Sequence, residues 1–241
     1  MLRVIFYPSV MLFALLTMGH TKLPVDASVN IPTPILNNKS HDRSLVNDQY
    51  EAWNLAKTGL SESAFKYAMK GFNYLKKKNA LTRGNIISII DFSKPSWQKR
   101  LFIIDVVTGK VLKNTLVAHG RNSGKEYATE FSNRPESYQS SLGFYITQGT
   151  YMGSNGYSLR LKGCERGIND KAFDRAIVMH GAPYVSDDFI NNRGFLGRSY
   201  GCPSIPAEMN KEIIDVIKNG TCLFIYHPTK KYYTRSKMLQ S

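Results

Sequence analysis

One cysteine of the chain has neighbours that suit a nucleophile. Cys202 lies in the run Arg198-Ser-Tyr-Gly-Cys-Pro-Ser204, where Gly201 permits a tight turn and successive amides can converge on one point. The amides of Tyr200, Gly201 and Cys202 are candidates to receive the oxyanion of a tetrahedral intermediate. A helix expected a few residues downstream would turn its positive end toward the sulfur and favour the thiolate. His180 closes the apolar run RAIVMH and is followed by Gly181. A strand end facing a loop is where a base can meet a nucleophile from a neighbouring segment. The bland alternative on pattern alone is a loop cysteine near a satisfied core histidine.

The remaining reactive residues say less. The chain has three cysteines and five histidines. His20 and His41 fall in N-terminal segments, which leaves His119, His180 and His227. His119, Ser123 and Gly124 in VAHGRNSG follow a strand-like run and are candidates to line a substrate cleft, or else simple turn residues. Arg160 and Lys162 alternate outward on YSLRLKG, as residues meeting substrate carboxylates or a solvated strand face would. Cys222 sits inside TCLFIY and reads as a small buried hydrophobe, while Cys164 has no assignment. No CxxC, HExxH or similar spacing occurs, so neither a metal nor a cofactor is expected.

The elements that must hold these residues are short and β-rich. IISIIDF, KRLFIIDV, KVLKNTLVAH, LGFYITQG, YSLRLKG, RAIVMHG and TCLFIYH carry β-branched and aromatic residues between turn formers. Thr108-Gly109 between two of them predicts a hairpin. One helix follows Pro206, with Met209, Ile213 and Ile217 on one face and Gly220 as its stop. Residues 48–80 predict a helical hairpin broken at Thr58-Gly59, with Ser61 as N-cap and Phe65, Ala68, Met69, Phe72 and Leu75 forming the buried stripe. The fold class is therefore mostly β, a sandwich or barrel spanning residues 81–228, with the helical hairpin before it and one helix after Cys202. Residues 229–241 read as a basic, mobile tail.

The N-terminus and the charge speak to location. Residues 1–19 begin MLRVIFYPSVMLFALLTM, a single positive charge and an apolar run that fit a signal peptide or short anchor. Residues 20–47 are Pro- and Asn-rich and read as a linker. An exported chain with three cysteines leaves at least one unpaired within itself. Lys and Arg number 32 against 18 for Asp and Glu, a formal charge of +14. Such a balance favours an anionic partner. Export and the lack of a recognition motif turn that away from nucleic acid and toward the cell envelope. The composition, 42% hydrophobic and 21% charged, excludes a disordered chain or a multi-span membrane protein.

The stretch IVMHGAPYVSDDFINNRGFLGRSYGCPSIP resembles the catalytic segment of the YkuD-type murein L,D-transpeptidases, in the branch of the murein L,D-transpeptidase catalytic domain family. The resemblance runs from about Ala52 to Tyr226 and takes in RLFIIDVVTGKVL, VAHGRNSG, FSNRPESYQSSLGFYIT, the His-Gly step and GRSYGCP. It implies an L,D-transpeptidase-like fold, Cys202 as nucleophile, His180 as general base, and the carbonyl of Gly181 as the group orienting the imidazole. The family's Ser-His-Gly-Cys run is here Ser199-Tyr200-Gly201-Cys202, without the second histidine. The usual Arg or Asn after the cysteine is replaced by Pro203-Ser204-Ile205-Pro206, with Arg198 as candidate compensating cation and Ser199 beside it in substrate contact. Ser140 and Ser141 match a small-residue strand start and are expected to be structural, near the site. The span between His180 and Ser199 is long for the family, which implies a different loop over the site.

The activity implied is acyl transfer. Cys202 attacks the carbonyl before the terminal D-Ala of a tetrapeptide stem, a thioester forms, and a side-chain amine of diaminopimelate on a neighbouring stem accepts the acyl group in a 3–3 crosslink. The resemblance further implies peptidoglycan stems as partners, no cofactor, a periplasmic or envelope location, and acylation of Cys202 by a carbapenem. Three alternatives stand beside it: an L,D-carboxypeptidase using the same site, a sortase-type transpeptidase using Cys222 with His119 and Arg235, and a wall-binding module without chemistry.

Overall fold

The computed structural model describes residues 46–240. The apolar N-terminal run, and the linker apart from its last two residues, lie outside the described residues. Eight strands build one sheet: β1 (Ile86–Asp91), β2 (Leu101–Asp105), β3 (Val111–Thr115), β4 (Gly143–Gly153), β5 (Gly156–Gly163), β6 (Val178–Ala182), β7 (Ser204–Pro206) and β8 (Cys222–Tyr226). Their order is β3-β2-β1-β8-β4-β5-β6-β7. Neighbours pair antiparallel except β1 with β8 and β6 with β7, which are parallel. Beyond β3 the chain bridges to the other edge, Ala118 with Ser204 and Gly120 with Ser199. The two ends of the sheet therefore meet, and it nearly closes into a barrel.

The apolar runs explain the layering. β1, β2 and β8 are buried along almost their whole length, as strands covered on both faces must be. The β2–β3 hairpin forms where Thr108-Gly109 predicts it, closed by the Gly109 amide donating to Asp105 O at 2.8 Å. The sheet's central face is covered by α1 (Glu62–Lys77). Ser61 caps α1, its Oγ accepting from the Ala64 amide at 3.2 Å. The predicted stripe of Phe65, Ala68, Met69, Phe72 and Leu75 is buried. Gly71 belongs to the same face: a Cβ there would lie 2.0 Å from Phe144 Cζ, so helix and strand touch where no other residue fits. Phe144 in turn stacks on Phe224 at 4.2 Å, and burying rings of this size contributes about 1.5–3 kcal/mol each.

Four further α-helices follow α1 among the described residues: α2 (Asp187–Arg193), α3 (Asn210–Ile217), α4 (Lys230–Arg235) and α5 (Lys237–Gln240). α3 is the helix expected after Cys202, with Ile213, Ile214 and Ile217 buried. The expected mobile tail is instead α4 and α5, packed on the domain. Its charge run hides a buried side: Tyr232, Ser236, Met238 and Leu239 face inward. Tyr232 Oη and Ser236 Oγ both donate to the buried carboxylate of Glu165, the former at 2.9 Å. The same carboxylate accepts from the Phe144 amide at 2.8 Å, which ties the C-terminal helices to β4.

Candidate active site

β6 and β7 lie parallel, with His180 opposite Ser204. Cys202 precedes Ser204 by two residues, a step of roughly 6.6 Å along a strand. The thiol lies over the start of β6 and the imidazole over its middle. The half-buried Cys202 Sγ accepts from the Val178 amide at 3.5 Å and lies 3.7 Å from Ala176 O. The His180 ring, 5% exposed, donates from Nδ1 to Gly181 O at 3.0 Å. That bond leaves Nε2 as the basic nitrogen, and Ser204 Oγ meets it at 3.0 Å. Tyr184 Oη lies 3.0 Å from Ser204 Oγ, so a hydroxyl chain runs from Tyr184 through Ser204 to the imidazole.

The charges of this pair are set by burial. Burial lowers the His180 pKa below its ordinary value, with the Gly181 carbonyl opposing. Burial raises the Cys202 thiol above its ordinary value, against the Val178 amide, the Arg175 guanidinium and its own amide. Both shifts favour the neutral thiol and the neutral imidazole at rest. The expectation that a helix N-terminus favours a standing thiolate does not hold. α3 starts at Asn210, after a strand and a 3-10 turn, with the Asn210 side chain against Gly181, and the thiol stays above its ordinary value.

The loop before Cys202 is fixed from two sides. Ser199 Oγ accepts from the Gly201 amide at 3.0 Å and donates to Cys202 O at 2.6 Å. The Gly201 amide is thus committed and unavailable for an oxyanion, which leaves those of Tyr200 and Cys202 from the expected three. Gly201 adopts φ 122°, as a tight turn here requires. Ser140 braces the loop from behind, its Oγ donating to Gly201 O at 3.3 Å and accepting from the Gly120 amide at 3.0 Å. Its structural role near the site is as expected. Ser199 is itself buried and clamps the loop rather than facing solvent.

Two other expectations change. His119 is 1% exposed, and both ring nitrogens are occupied. Nδ1 accepts from the fully buried Arg100 at 2.8 Å, and Nε2 donates to Gly124 O at 3.2 Å. Ser123 is fully buried and accepts from the Ser140 amide at 2.9 Å. Both side chains are buried in the wall behind the loop rather than lining an open cleft. Arg198, by contrast, is exposed, with its guanidinium donating to Gly124 O at 3.2 Å. Cys222 is fully buried on β8 with its pKa raised well above the ordinary, which removes the nucleophile of the sortase-type alternative.

Two clefts flank the loop. Arg121, Arg198 and Tyr200 line one of about 320 Å³. Arg160, Ala176 and Val178 line a smaller one of about 90 Å³, along the backbone that the thiol touches. Residue patterns alone did not find Ser204, Tyr184 and Arg175. Ser204 was read only as a replacement for a missing cation, and β7 is too short to announce itself. Arg175 binds Ser132 O at 2.7 Å and Gln139 O at 2.6 Å and lends its charge to Cys202.

A cysteine loop and a tautomer-locked histidine are thus brought together by the parallel pair β6 and β7. The chain belongs to the L,D-transpeptidase catalytic domain family, whose model matches residues 56–226. No curated protein sequence matches it. Among solved structures it is similar to an L,D-transpeptidase from Mycobacterium smegmatis, with 12% identity, a TM-score of 0.37 and 59% of each chain covered. An L,D-transpeptidase from Mycobacterium tuberculosis H37Rv matches with 16% identity and a TM-score of 0.34, over 59% of this chain and 58% of that one. One from Enterococcus faecium gives 15% identity and a TM-score of 0.33, over 58% of this chain and 48% of that one. The chain spans about three fifths or less of the length of these structures.

Proposed function

We propose that the protein is an exported murein L,D-transpeptidase that works through a thioester on Cys202. As the carbonyl before the terminal D-Ala enters, His180 Nε2 takes the thiol proton and the sulfur attacks. The amides of Tyr200 and Cys202 face the developing oxyanion. The tetrahedral intermediate collapses, the C–N bond breaks, and the proton on Nε2 passes to the departing D-Ala amine. The side-chain amine of a diaminopimelate on a second stem then attacks the thioester. It gives a proton to Nε2 as the new amide forms, and the proton returns to the leaving sulfur.

The observation that carries this reading is the locked imidazole. With Nδ1–H held by Gly181 O, only Nε2 can exchange protons, and the Ser204 hydroxyl can serve both of its states. It donates to the neutral ring and accepts from the imidazolium, while Tyr184 Oη takes the complementary role. The apolar run at residues 1–19 and the charge of +14 support placement in the envelope, where stem peptides are found. Intact-mass spectrometry of the chain with a carbapenem and, separately, with a disaccharide-tetrapeptide tests the assignment. An adduct and a D-Ala-loss thioester are expected on the parent and on no Cys202→Ser sample. Products distinguish the acceptors: 3–3 dimers mark transpeptidation, free tripeptide marks hydrolysis. A folded parent that forms neither adduct is a binding module instead.

A further inference from the structure

The long loop between His180 and Ser199 builds a concave surface of its own. It folds into α2 and an aromatic turn, and with Arg121 from the strand-bridging segment it encloses the cleft of about 320 Å³. That volume lies in the range of small-ligand sites, about 300–1,000 Å³. Three guanidiniums, Arg121, Arg193 and Arg198, line it together with Phe189, Phe195 and Tyr200. Arg121 lies over the Tyr200 ring at 5.7 Å and Arg198 over the Phe195 ring at 5.6 Å. Lys125 adds a fourth cation over Phe195 at 5.0 Å. The rings support the guanidiniums of Arg121 and Arg198, and Arg198 is further tied by Nη1 donating to Gly124 O at 3.2 Å.

No carboxylate answers this charge among the described residues. The ion pairs there are Lys66–Glu62, Lys113–Glu212, Lys211–Asp215 and Lys218–Asp215, none of them in the cleft. The two acids of α2, Asp187 and Asp188, lie in its first turn, at the opposite end from Arg193. Like charges gathered in a concavity repel one another and focus a positive field outward, an arrangement that an anionic ligand relieves. The cleft is also mechanically part of the cysteine loop. The Arg121 amide donates to Ser199 O at 2.7 Å, and Ser199 clamps Cys202.

We propose that this cleft binds the stem peptide through its free carboxylates, those of diaminopimelate and of the terminal D-Ala, and so selects unamidated stems. The proposal rests on the reading of Cys202 as the residue that a stem acylates. Guanidinium pairs bidentately with carboxylate, and the three rings suit the methyl and methylene groups of a short peptide. A phosphate-linked wall polymer would use the arginines but not the rings, and would need a long groove rather than a bounded cleft.

The test measures binding without turnover. The Cys202→Ser chain is titrated calorimetrically with a tetrapeptide stem and with its carboxamide derivative, alone and with Arg121→Gln and Arg193→Gln added. The free-carboxylate stem is expected to bind about tenfold more tightly than the amidated one. The doubly substituted chain should lose that preference at an unchanged unfolding midpoint, and Arg193→Lys should retain part of it. Equal binding of the two stems by the arginine-bearing chain overturns the proposal, whether or not the variants fold. So does a preference that survives both substitutions. Tighter, arginine-dependent binding of a glycerol-phosphate oligomer reassigns the cleft to a wall polymer. Failure of the Cys202 reading looks different: stem preference stays, but the parent forms no thioester.

Discussion

His180 keeps its proton on Nδ1, and that one fact orders the chemistry around it. Burial holds the imidazole below 6.5 and the thiol above 9.0, so the pair is uncharged across the neutral range. Iodoacetamide alkylation of Cys202, followed by peptide mass spectrometry, should therefore rise only at alkaline pH. A rate already at its plateau near pH 6 would reveal a standing thiolate–imidazolium pair and defeat this account. Because His180 loses its proton below the ordinary histidine range, the acid limb of the acylation profile should also fall below pH 6.5. Ser204→Ala removes the hydroxyl that serves both states of Nε2. Losing one such hydrogen bond costs about 1 kcal/mol, so stopped-flow acylation by a carbapenem should slow roughly fivefold. A rate equal to or above the parent's would mean that Ser204 only blocks the nitrogen. The tight turn at Gly201 and the hold of Gly181 O on the His180 ring were legible from residue type, spacing and family likeness. Ser204 and Tyr184 were not, because a strand register decides that they meet the ring.

Between β3 and the cysteine loop lies a second histidine whose work is structural. Burial first, then the charge of Arg100, push the His119 pKa down to about 3. Its unfolded value is near 6.5, so between these limits the unfolded chain binds more protons. The stability that His119 lends is complete above pH 6.5 and is lost as pH falls toward 3, by at most about 1.4 kcal/mol per pH unit. Urea unfolding from pH 7 to pH 4 should show this decline in the parent. The His119→Gln variant should be weaker at pH 7 yet flatter across the window. Parallel slopes would show that His119 is not the titrating group. At this scale the seven strand-like runs were readable because β-branched and aromatic residues crowd them between turn formers, and α1 because its apolar residues recur on one face. β7 and α2 were not: the first is three residues of Ser-Ile-Pro, and the second buries none of its own residues.

The molecule as a whole is held by a strand that comes late. The tail is integral to it: Glu165 gathers the Phe144 amide, Tyr232 and Ser236 at one buried carboxylate. Deleting residues 230–241 strands that charge, and breaking a buried polar cluster of this kind costs on the order of 3 kcal/mol. A thermal midpoint within a degree of the parent's would show the helices to be dispensable. The tail was misread because lysines and arginines dominate its composition, while the burial of Tyr232 and Leu239 depends on a surface formed elsewhere. β8 carries a larger consequence. It lies between β1 and β4, so the half of the sheet that presents Cys202 and His180 is laddered to the other half through the last strand made, apart from the two bridges Ala118–Ser204 and Gly120–Ser199 at the outer edges. A nascent chain emerging in order would expose both halves with open edges until residue 226 is available. Assembly is thus gated by the completion of synthesis or passage. A chain released in full on the far side of a membrane would acquire its thiol–imidazole pair there and not before.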